Sequence, residues 1–319
     1  MTEKALRLGT RRSKLAMAQS GQVARKVTEL TGRPVDLVEI TTFGDISREH
    51  LAQIGGTGVF VTALRDALLA GEVDFAVHSL KDLPTTQPAE LTLAAVPERE
   101  DPRDALIARD GLTFAELPEG ARVGTGSPRR MAQLNAYARS HGLSIRTVPI
   151  RGNIDTRIGY VRDDKLDAVV LAAAGLSRVG RTDEVTDFLS VDTVLPAPGQ
   201  GALAIECAAT DVSLAAALAE LDDPYTRVAV TAERSLLAAL EAGCSAPVGA
   251  LADVLTDGQI VKEMRLRGVV GATDGSTLVQ LSTTGPVPGT HDQAMALGRE
   301  LAVEMLAKGA AGLMGERAL

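Results

Sequence analysis

The sequence predicts an α/β protein with two similar parallel-sheet domains, followed by a small α+β domain. Two observations predict the first part: strand and helix patterns alternate over residues 6–78, and a similar alternation starts again near residue 122. The third observation is a change of pattern after Asp222-Asp-Pro224, where a helix, a hairpin of strands and a final helix follow. A chain of 319 residues is long enough for two or three domains.

The first unit is predicted to run strand, helix, strand, helix, strand. Its strands are short and apolar, and Gly32-Arg33-Pro34 ends the helix that begins at Ser13. Residues 44–58 contain four glycines and many polar side chains, which predicts a mobile loop. The elements in order are strand 6–10, helix 13–30, strand 35–40, helix 59–69 and strand 73–78.

Short sequence matches predict that the second unit duplicates the first. Arg7-Leu-Gly-Thr10 corresponds to Arg122-Val-Gly-Thr125, and each precedes a helix that contains Met-Ala-Gln. Val73-Asp-Phe-Ala-Val77 corresponds in the same way to Leu166-Asp-Ala-Val-Val170. Ligands of such sheets bind beyond the carboxyl ends of the strands, so both Gly-Thr turns are expected to line one cleft.

A connector and a third domain complete the predicted organisation. Leu195-Pro-Ala-Pro-Gly-Gln-Gly201 is rich in proline and glycine, and a strand over 202–207 follows it. The third domain is expected to contain a helix over 225–242, strands over 261–270 and 278–282, and a helix over 292–308.

The composition excludes several classes of protein. No apolar run reaches the roughly 18 residues of a membrane helix, and the N-terminal segment lacks a signal-peptide core, so we expect a cytoplasmic protein. Cys207 and Cys244 are too few for a disulfide framework, and the four histidines have no paired spacing that would indicate a metal site. The net charge of −8 and the absence of tryptophan argue against nucleic-acid binding.

Positive charge is concentrated in the middle of this acidic chain. Residues 122–181 hold ten Arg and one Lys against four Asp, a local balance of +7. Ser127 suits an N-cap and Pro128 the first helical position, so Arg129 and Arg130 fall in the first turn of a helix. Cations are unfavourable there unless an anion is bound, so the pattern predicts an anion site. The alternative is a surface helix start with solvated arginines.

Further arginines follow predicted strands or occupy turns. Guanidinium groups bind carboxylates in a bidentate manner, so the set predicts a ligand with several carboxylates or phosphates. The alternative for any single member is a solvated or salt-bridged surface residue. The members are Arg11, Arg12, Arg151, Arg157 and Arg178.

The loop after the strand that ends at His78 carries candidate catalytic side chains. Ser79, Lys81 and Asp82 lie in this loop, and Pro84 prevents the strand from continuing. A carboxylate beside cations stays ionised, so Asp82 could accept or stabilise a proton on a nitrogen. The alternative is an ordinary turn with a surface Lys–Asp pair.

A loop cysteine is the candidate nucleophile. Gly243 is a suitable residue to end a helix, so Cys244 follows on a loop and is expected to be more accessible than Cys207 in its strand. The alternative is a small buried apolar residue. No histidine or asparagine partner is evident near Cys244 in the sequence, which argues against a papain-like cysteine protease.

Seven motifs, in order, resemble those of the porphobilinogen deaminase (hydroxymethylbilane synthase) family over almost the whole chain. The resemblance implies two doubly wound domains similar to periplasmic binding proteins and a small C-terminal α+β domain. It implies the boundaries 1–98 with 199–221, 99–198 and 222–319. The motifs are Gly9-Thr-Arg-Arg-Ser13, Ala76-Val-His-Ser-Leu-Lys-Asp-Leu-Pro84, Arg99-Glu-Asp-Pro-Arg-Asp104, Gly124-Thr-Gly-Ser-Pro-Arg-Arg130, Arg151-Gly-Asn-Ile-Asp-Thr-Arg157, Leu195-Pro-Ala-Pro-Gly-Gln-Gly-Ala202 and Glu241-Ala-Gly-Cys-Ser-Ala-Pro-Val-Gly249.

The resemblance also implies an activity and a cofactor. Members of the family are transferases that condense four porphobilinogen molecules head to tail, releasing ammonia, into linear hydroxymethylbilane for tetrapyrrole and haem biosynthesis. The family's primer is a dipyrromethane cofactor held by a thioether, here to Cys244, and a thiol sulfur is a suitable nucleophile for forming that bond. A monomer that needs no metal, nucleic acid or membrane is expected.

The resemblance assigns roles to individual residues. Asp82 corresponds to the catalytic carboxylate, which stabilises positive charge on pyrrole nitrogens. Gln53 and Thr57 stand where some members have lysine, and Gly126 stands where serine is common. The cofactor-binding positions are Cys244, Ser79, Lys81, Asp82, Thr125, Ser127, Arg129 and Arg130. The substrate-binding positions are Arg11, Ser13, Arg151, Arg157, Arg178 and Gln200.

Two other classes of function fit the same residues. A non-catalytic, two-lobed anion-binding module would need neither Asp82 nor Cys244. A generic cysteine-dependent transferase would use Cys244 without a pyrrole primer. A stable dipyrrole-sized adduct on the purified protein distinguishes the deaminase from both.

Overall fold

A computed structural model describes residues 4–41, 58–242, 246–257 and 260–314, and its strands form three sheets. The helices are α1 (Lys14–Thr31), α2 (Gly58–Leu69), α3 (Pro128–Ser140), α4 (Ile154–Arg162), α5 (Ala173–Arg178), α6 (Val212–Ala219), α7 (Pro224–Ala239) and α8 (His291–Ala307). The strands are β1 (Leu6–Thr10), β2 (Val35–Glu39), β3 (Phe75–Ser79), β4 (Leu91–Ala95), β5 (Asp104–Ala108), β6 (Ala121–Gly124), β7 (Ile145–Val148), β8 (Ala168–Ala172), β9 (Asp187–Phe188), β10 (Leu203–Ala208), β11 (Val248–Asp257), β12 (Ile260–Gly271) and β13 (Leu278–Gly285).

The first sheet has the strand order β2-β1-β3-β10-β4. β1 pairs in parallel with β2 and β3, whereas β10 runs antiparallel to β3 and β4. β10 joins this sheet from a distant part of the chain, directly after the connector that ends at Gly201. Phe75 and Ala76, neighbours on β3, belong to separate apolar clusters, so both faces of the sheet are covered.

The second sheet repeats this topology with the order β7-β6-β8-β5-β9. β6 pairs in parallel with β7 and β8, and β5 runs antiparallel to β8 and β9. Its two faces are also both buried, because Val169 and Val170 on β8 lie in separate clusters. The predicted pair of doubly wound α/β sheets is therefore confirmed.

The duplication extends to individual contacts. Arg7 on β1 donates its backbone N–H and its Nη2 to the Asp74 carboxylate, both at 2.7 Å. Arg122 on β6 donates its backbone N–H at 2.7 Å and its Nε at 3.0 Å to Asp167. Residues that correspond in the sequence matches therefore make equivalent ion pairs in the two sheets.

The third sheet is an antiparallel meander of β11, β12 and β13. Leu236 of α7 and Leu301 of α8 belong to the same apolar core as Met264 of β12, which confirms a small α+β domain. The sequence predicted a two-stranded hairpin and missed β11. The first five residues of β11 are all buried, so this strand lacks the alternation that marks a half-exposed strand.

The chain divides into two compact units, residues 1–100 with 202–227 and residues 101–201 with 228–319. The first unit contains the first sheet, and the second unit contains the other two sheets. The division into three domains at the boundaries given above stays a prediction. In the part of the chain that the structure describes, no helix combines the length and the apolar character needed to cross a bilayer.

Two helical glycines provide a matched test of how α8 packs on α7. A Cβ added to Gly298 of α8 would overlap the Ala232 carbonyl oxygen and lie 2.7 Å from the Leu236 nitrogen, whereas a Cβ added to Gly159 of α4 meets no atom within 4 Å. Alanine is the better helix former by about 1 kcal/mol. We therefore expect Gly159→Ala to raise the melting temperature and Gly298→Ala to lower it, as measured by circular dichroism. Equal shifts would contradict the close approach of the two helices.

Candidate active site

The loop after β3 carries the predicted catalytic carboxylate. β3 ends at Ser79 and a single 3-10 turn follows it. Leu80 and Leu83 are buried, and the Leu80 N–H donates to the Ala202 carbonyl at 3.0 Å, which attaches the turn to the sheet. Asp82, between the two leucines, is exposed. The turn therefore presents a carboxylate to solvent at the carboxyl end of the central strand.

Other predicted residues of the first unit lie at the same edge of the sheet, because β1 and β3 are parallel neighbours. Ser13 is the N-cap of α1, and its Oγ accepts the Ala16 N–H at 3.2 Å. The Ser79 Oγ accepts from Nε2 of Gln19 on α1 at 3.0 Å. The predicted residues at this edge are Arg11, Ser13, Ser79, Lys81 and Asp82.

A buried ion cluster lies at the start of α3 in the second unit. Asp104 is the first residue of β5, and its two carboxylate oxygens accept from Nη1 of Arg129 and Nη2 of Arg130, each at 2.7 Å. Both arginines are at most 5% exposed and Asp104 is fully buried. Ser127 caps α3, as predicted, and accepts the Arg130 N–H at 3.4 Å. The anion at this helix start is thus first of all a carboxylate of the chain itself.

The cluster carries more positive than negative charge. Burial raises the pKa of the Asp104 carboxyl, but the charges of Arg129 and Arg130 outweigh burial and hold this pKa well below its usual range. Burial lowers the pKa of Arg129, and burial together with the charge of Arg130 lowers the pKa of Arg157 on α4. The Nε of Arg130 is buried without a hydrogen-bond partner among the described residues. This uncompensated charge suits a bound carboxylate.

Two predicted substrate residues hold the connector that precedes β10: Gln200 belongs to it, and Arg178 contacts it. Gln200 is fully buried, and its Nε2 donates to the Asp104 carboxylate at 2.9 Å and to the Pro102 carbonyl at 2.7 Å. Arg178, at the end of α5, donates from Nη2 to the Gly201 carbonyl at 2.6 Å. The connector is therefore joined both to the ion cluster and to α5.

The remaining predicted residues of the second unit follow its parallel strands. Thr125 is fully buried after β6, and its Oγ1 accepts the Ser127 N–H at 3.2 Å. Arg151 is exposed in the loop after β7. Arg157 is half-buried and donates from Nε to the Gly152 carbonyl at 2.8 Å. These residues therefore lie at the carboxyl edge of the second sheet.

Gly126 lies where two loops approach closely. A Cβ added there would lie 2.5 Å from the carbonyl oxygen of Ile150. The obstacle is backbone, so a serine side chain would fit only if one of the loops moved. The departure from the serine that is common in the family is therefore matched by the local packing.

Asp104 and Glu233 are two buried carboxylates that the sequence did not assign to the site. Glu233 on α7 accepts the backbone N–H groups of Gly199 at 2.7 Å and Ala252 at 2.9 Å. Gly199 has a φ of 75°, a left-handed conformation that favours glycine. The sequence did contain a signal for Glu233: it lies four positions before the apolar Leu237, and therefore on the apolar face of the helix that becomes buried.

The two cysteines differ in what the structure shows of them. Cys207 is fully buried on β10, as predicted, and burial raises the pKa of its thiol to about 11, which makes it a poor nucleophile at neutral pH. Cys244 lies outside the described residues, as do Gln53, Thr57 and the predicted loop up to its last residue.

Asp104→Asn tests the importance of the ion cluster for stability. This change leaves Arg129 and Arg130 buried beside a neutral partner, so we expect the free energy of unfolding to fall by about 3–5 kcal/mol. Asp101→Asn is the matched control, because Asp101 pairs with Arg103 near the surface, where such pairs contribute about 1 kcal/mol or less. Urea unfolding measures both variants, and a small loss for Asp104→Asn would contradict the assigned role.

Family models and known proteins that resemble this sequence identify its family. The protein-family model described as "Porphobilinogen deaminase, dipyromethane cofactor binding domain" matches residues 6–216. A second family model, "Porphobilinogen deaminase, C-terminal domain", matches residues 227–307. The chain is 84% identical over 322 residues to Porphobilinogen deaminase 1 of Streptomyces avermitilis, with 99% of each chain covered. It is 82% identical over 318 residues to Porphobilinogen deaminase 1 of Streptomyces coelicolor, with 100% of each chain covered.

A more distant relative and a solved structure complete the comparison. The chain is 58% identical to Porphobilinogen deaminase of Thermobifida fusca, covering 98% of this chain and 96% of that one. A nutrient binding protein from Burkholderia cenocepacia bound to methionine has a TM-score of 0.42 and 13% identity, covering 70% of this chain and 94% of that one. Family membership rests on the sequence matches, which extend over nearly the whole chain. The chain belongs to the porphobilinogen deaminase family.

Proposed function

We propose that the chain condenses four porphobilinogen molecules head to tail, with loss of ammonia at each step, into linear hydroxymethylbilane. Family membership supports this reaction. One observation carries the assignment of residues: Asp82 is exposed at the carboxyl end of β3, on the same sheet edge as Lys81 and Arg11. A reaction that creates positive charge on nitrogen, in a substrate that carries carboxylates, needs an anionic and a cationic group at one site.

Asp82 is the proposed catalytic carboxylate. As ammonia leaves porphobilinogen, positive charge develops on the pyrrole nitrogen, and a nearby carboxylate stabilises that charge. The same group can accept the proton that is released after coupling. The strand registers of the two sheets place Gly175 of the second unit where the first unit has Asp82, so the duplication does not repeat this carboxylate.

The arginines are proposed to bind the carboxylates of the substrate and of the growing chain. Each added pyrrole brings two carboxylates, so several cations are required. The excess positive charge around Asp104 supports this role, because bound carboxylates would neutralise it. The proposed substrate-binding residues are Arg11, Ser13, Arg151, Arg157, Arg178 and Gln200.

The residues present fit the dipyrromethane cofactor. The buried Nε of Arg130 and the charge excess around it suit an anionic group. When bound, the cofactor supplies the pyrrole to which the first substrate is joined. We propose that Cys244 holds it through a thioether. The residues proposed to bind and orient it are Ser79, Lys81, Asp82, Thr125, Ser127, Arg129 and Arg130.

Several finer features belong to the same proposal. The protein is proposed to act as a monomer in the cytoplasm, without nucleic acid or membrane as a partner, and its product to enter tetrapyrrole and haem synthesis. The net charge of −8 supports the absence of a nucleic-acid partner. A non-catalytic anion-binding module and a generic cysteine-dependent transferase are not favoured, because both family models match in order along the chain.

Mass spectrometry of the intact purified protein tests the covalent link. We expect a mass above that of the unmodified chain by one dipyrrole unit, because the thioether survives purification. Cys244→Ala is expected to lose this adduct. Cys207→Ala is the control and is expected to keep it, since Cys207 is fully buried in the core of the first unit. A fully active protein of unmodified mass would exclude the deaminase mechanism.

Asp82→Ala tests the catalytic assignment. The side chain is exposed, so we expect the melting temperature to stay unchanged. We expect kcat for hydroxymethylbilane formation to fall about 100-fold or more, which is typical for loss of a group that handles a proton in the reaction. Asp66→Ala, at another exposed aspartate of the same unit, is the control and should keep full activity. Near-normal turnover of Asp82→Ala would remove Asp82 from its assigned role.

A further inference from the structure

Glu206 is a carboxylate buried in the middle of the first sheet. It lies on β10, is 0% exposed and faces Ala76 of β3 in the strand register. Arg65 of α2 donates to it from Nε at 3.1 Å and from Nη2 at 2.8 Å. Gln87 donates to it from Nε2 at 3.0 Å, and Nε2 of His78 lies 3.1 Å from it. The proposed mechanism gives none of these residues a role.

Two of these partners stand at the ends of the loop that carries Asp82. His78 immediately precedes Ser79, and Gln87 follows the segment that contains Asp82. Gln87 is exposed, yet its amide reaches the buried carboxylate and also donates to the Leu91 carbonyl at 3.3 Å. A single carboxylate therefore contacts the residues on both sides of the loop.

Stability alone does not account for such a cluster. Burial raises the pKa of the Glu206 carboxyl, but the interactions with His78 and Arg65 outweigh burial and lower this pKa to about 2. The group is thus ionised at neutral pH in the interior of the sheet. A buried ion pair generally stabilises a fold no better than well-packed apolar side chains of similar volume.

The second unit contains apolar residues at the equivalent positions. The registers of β10 on β3 and of β5 on β8 make Ile107 the counterpart of Glu206, and Leu171 the counterpart of His78. Both residues are buried in one apolar cluster. A sheet of this topology therefore packs without charge at these two positions. The charged arrangement occurs in the unit that carries Asp82.

We propose that Glu206 is a positioning residue for Asp82. Through His78 and Gln87 it fixes both ends of the loop that presents the carboxylate, and through Arg65 it joins that loop to α2. Glu206 is fully buried, so it acts through these partners. The inference rests on the proposed catalytic role of Asp82. A displacement of about 1 Å at a reacting group can lower a rate about 100-fold, so a fixed loop matters for turnover.

A triple variant that copies the apolar packing of the second unit tests this proposal. Glu206→Ile and His78→Leu introduce the second unit's residues, and Arg65→Leu removes the charge that would otherwise be left unpaired. We expect the melting temperature to stay near that of the wild type. We expect kcat to fall about 10- to 100-fold with little change in KM, because Asp82 and the arginines remain but the loop loses its fixed ends. Hydrogen–deuterium exchange over residues 79–87 should become faster.

Two further variants keep the test decisive if the triple variant does not fold. Gln87→Ala changes an exposed residue and releases one end of the loop, so we expect a smaller fall in kcat and faster exchange at an unchanged melting temperature. Asp74→Asn is the matched control, because this carboxylate pairs with Arg7 just before the opposite end of β3. It should lower the melting temperature and leave kcat unchanged in the folded protein.

The outcomes separate this inference from the proposed function. A wild-type kcat in a folded triple variant, or in Gln87→Ala, would overturn the positioning role. A loss of kcat in Asp74→Asn as large as in the triple variant would also overturn it, because any weakening of the sheet would then have the same effect. Failure of the proposed function would instead appear in the wild-type protein, which would form no hydroxymethylbilane from porphobilinogen.

Discussion

The carboxylate of Asp104 organises the carboxyl edge of the parallel strands in the second unit, where the predicted anion-binding residues lie. It binds Arg129 and Arg130 from α3 and accepts a hydrogen bond from Gln200 of the connector. One buried carboxylate therefore links β5, the start of α3 and the connector. One carboxylate neutralises only part of the positive charge that it orders. The arginines are therefore held in place before any ligand arrives, and the remaining charge is available to an anion. Preorganised cations of this kind bind carboxylates without a further ordering cost.

Comparison of the two units separates the architecture from the chemistry. Both sheets have the same topology, and in both an Arg–Asp pair joins a parallel strand (β1 or β6) to the residue just before its parallel neighbour (β3 or β8). At three of the equivalent positions where they differ, only one unit has a carboxylate: Asp82 against Gly175, Glu206 against Ile107, and Asp104 against Leu203. Each unit thus has its own buried carboxylate on the antiparallel strand. In the first unit it contacts His78 and Gln87, which lie on either side of Asp82 in the chain, and in the second it orders the cations.

Much of the fold could be predicted from local patterns. Three parallel strands and two helices of the first unit, the duplication and the N-cap at Ser127 follow from apolar periodicity, short matches and capping preferences, whereas β4 and α6 of that unit were not predicted. The sequence did not predict β4, β5, β7, β9 or β11; β5 and β11 begin with a run of buried residues, a pattern that periodicity alone does not distinguish from a buried helix segment. The entry of β10 into the first sheet had no local signal at all. It was available only from the resemblance to the family.

The sequence by itself determined the family, the set of candidate functional side chains and the loop position of Asp82. A buried strand, a short turn and Pro84 are sufficient to place Asp82 on an exposed loop. Only the tertiary structure decided which of the many charges are paired inside the protein. Asp104 meets Arg129 across 25 positions, and Gln87 meets Glu206 across 119. Contacts between residues so far apart leave no periodic trace in the chain, because they depend on the order of strands in the sheet.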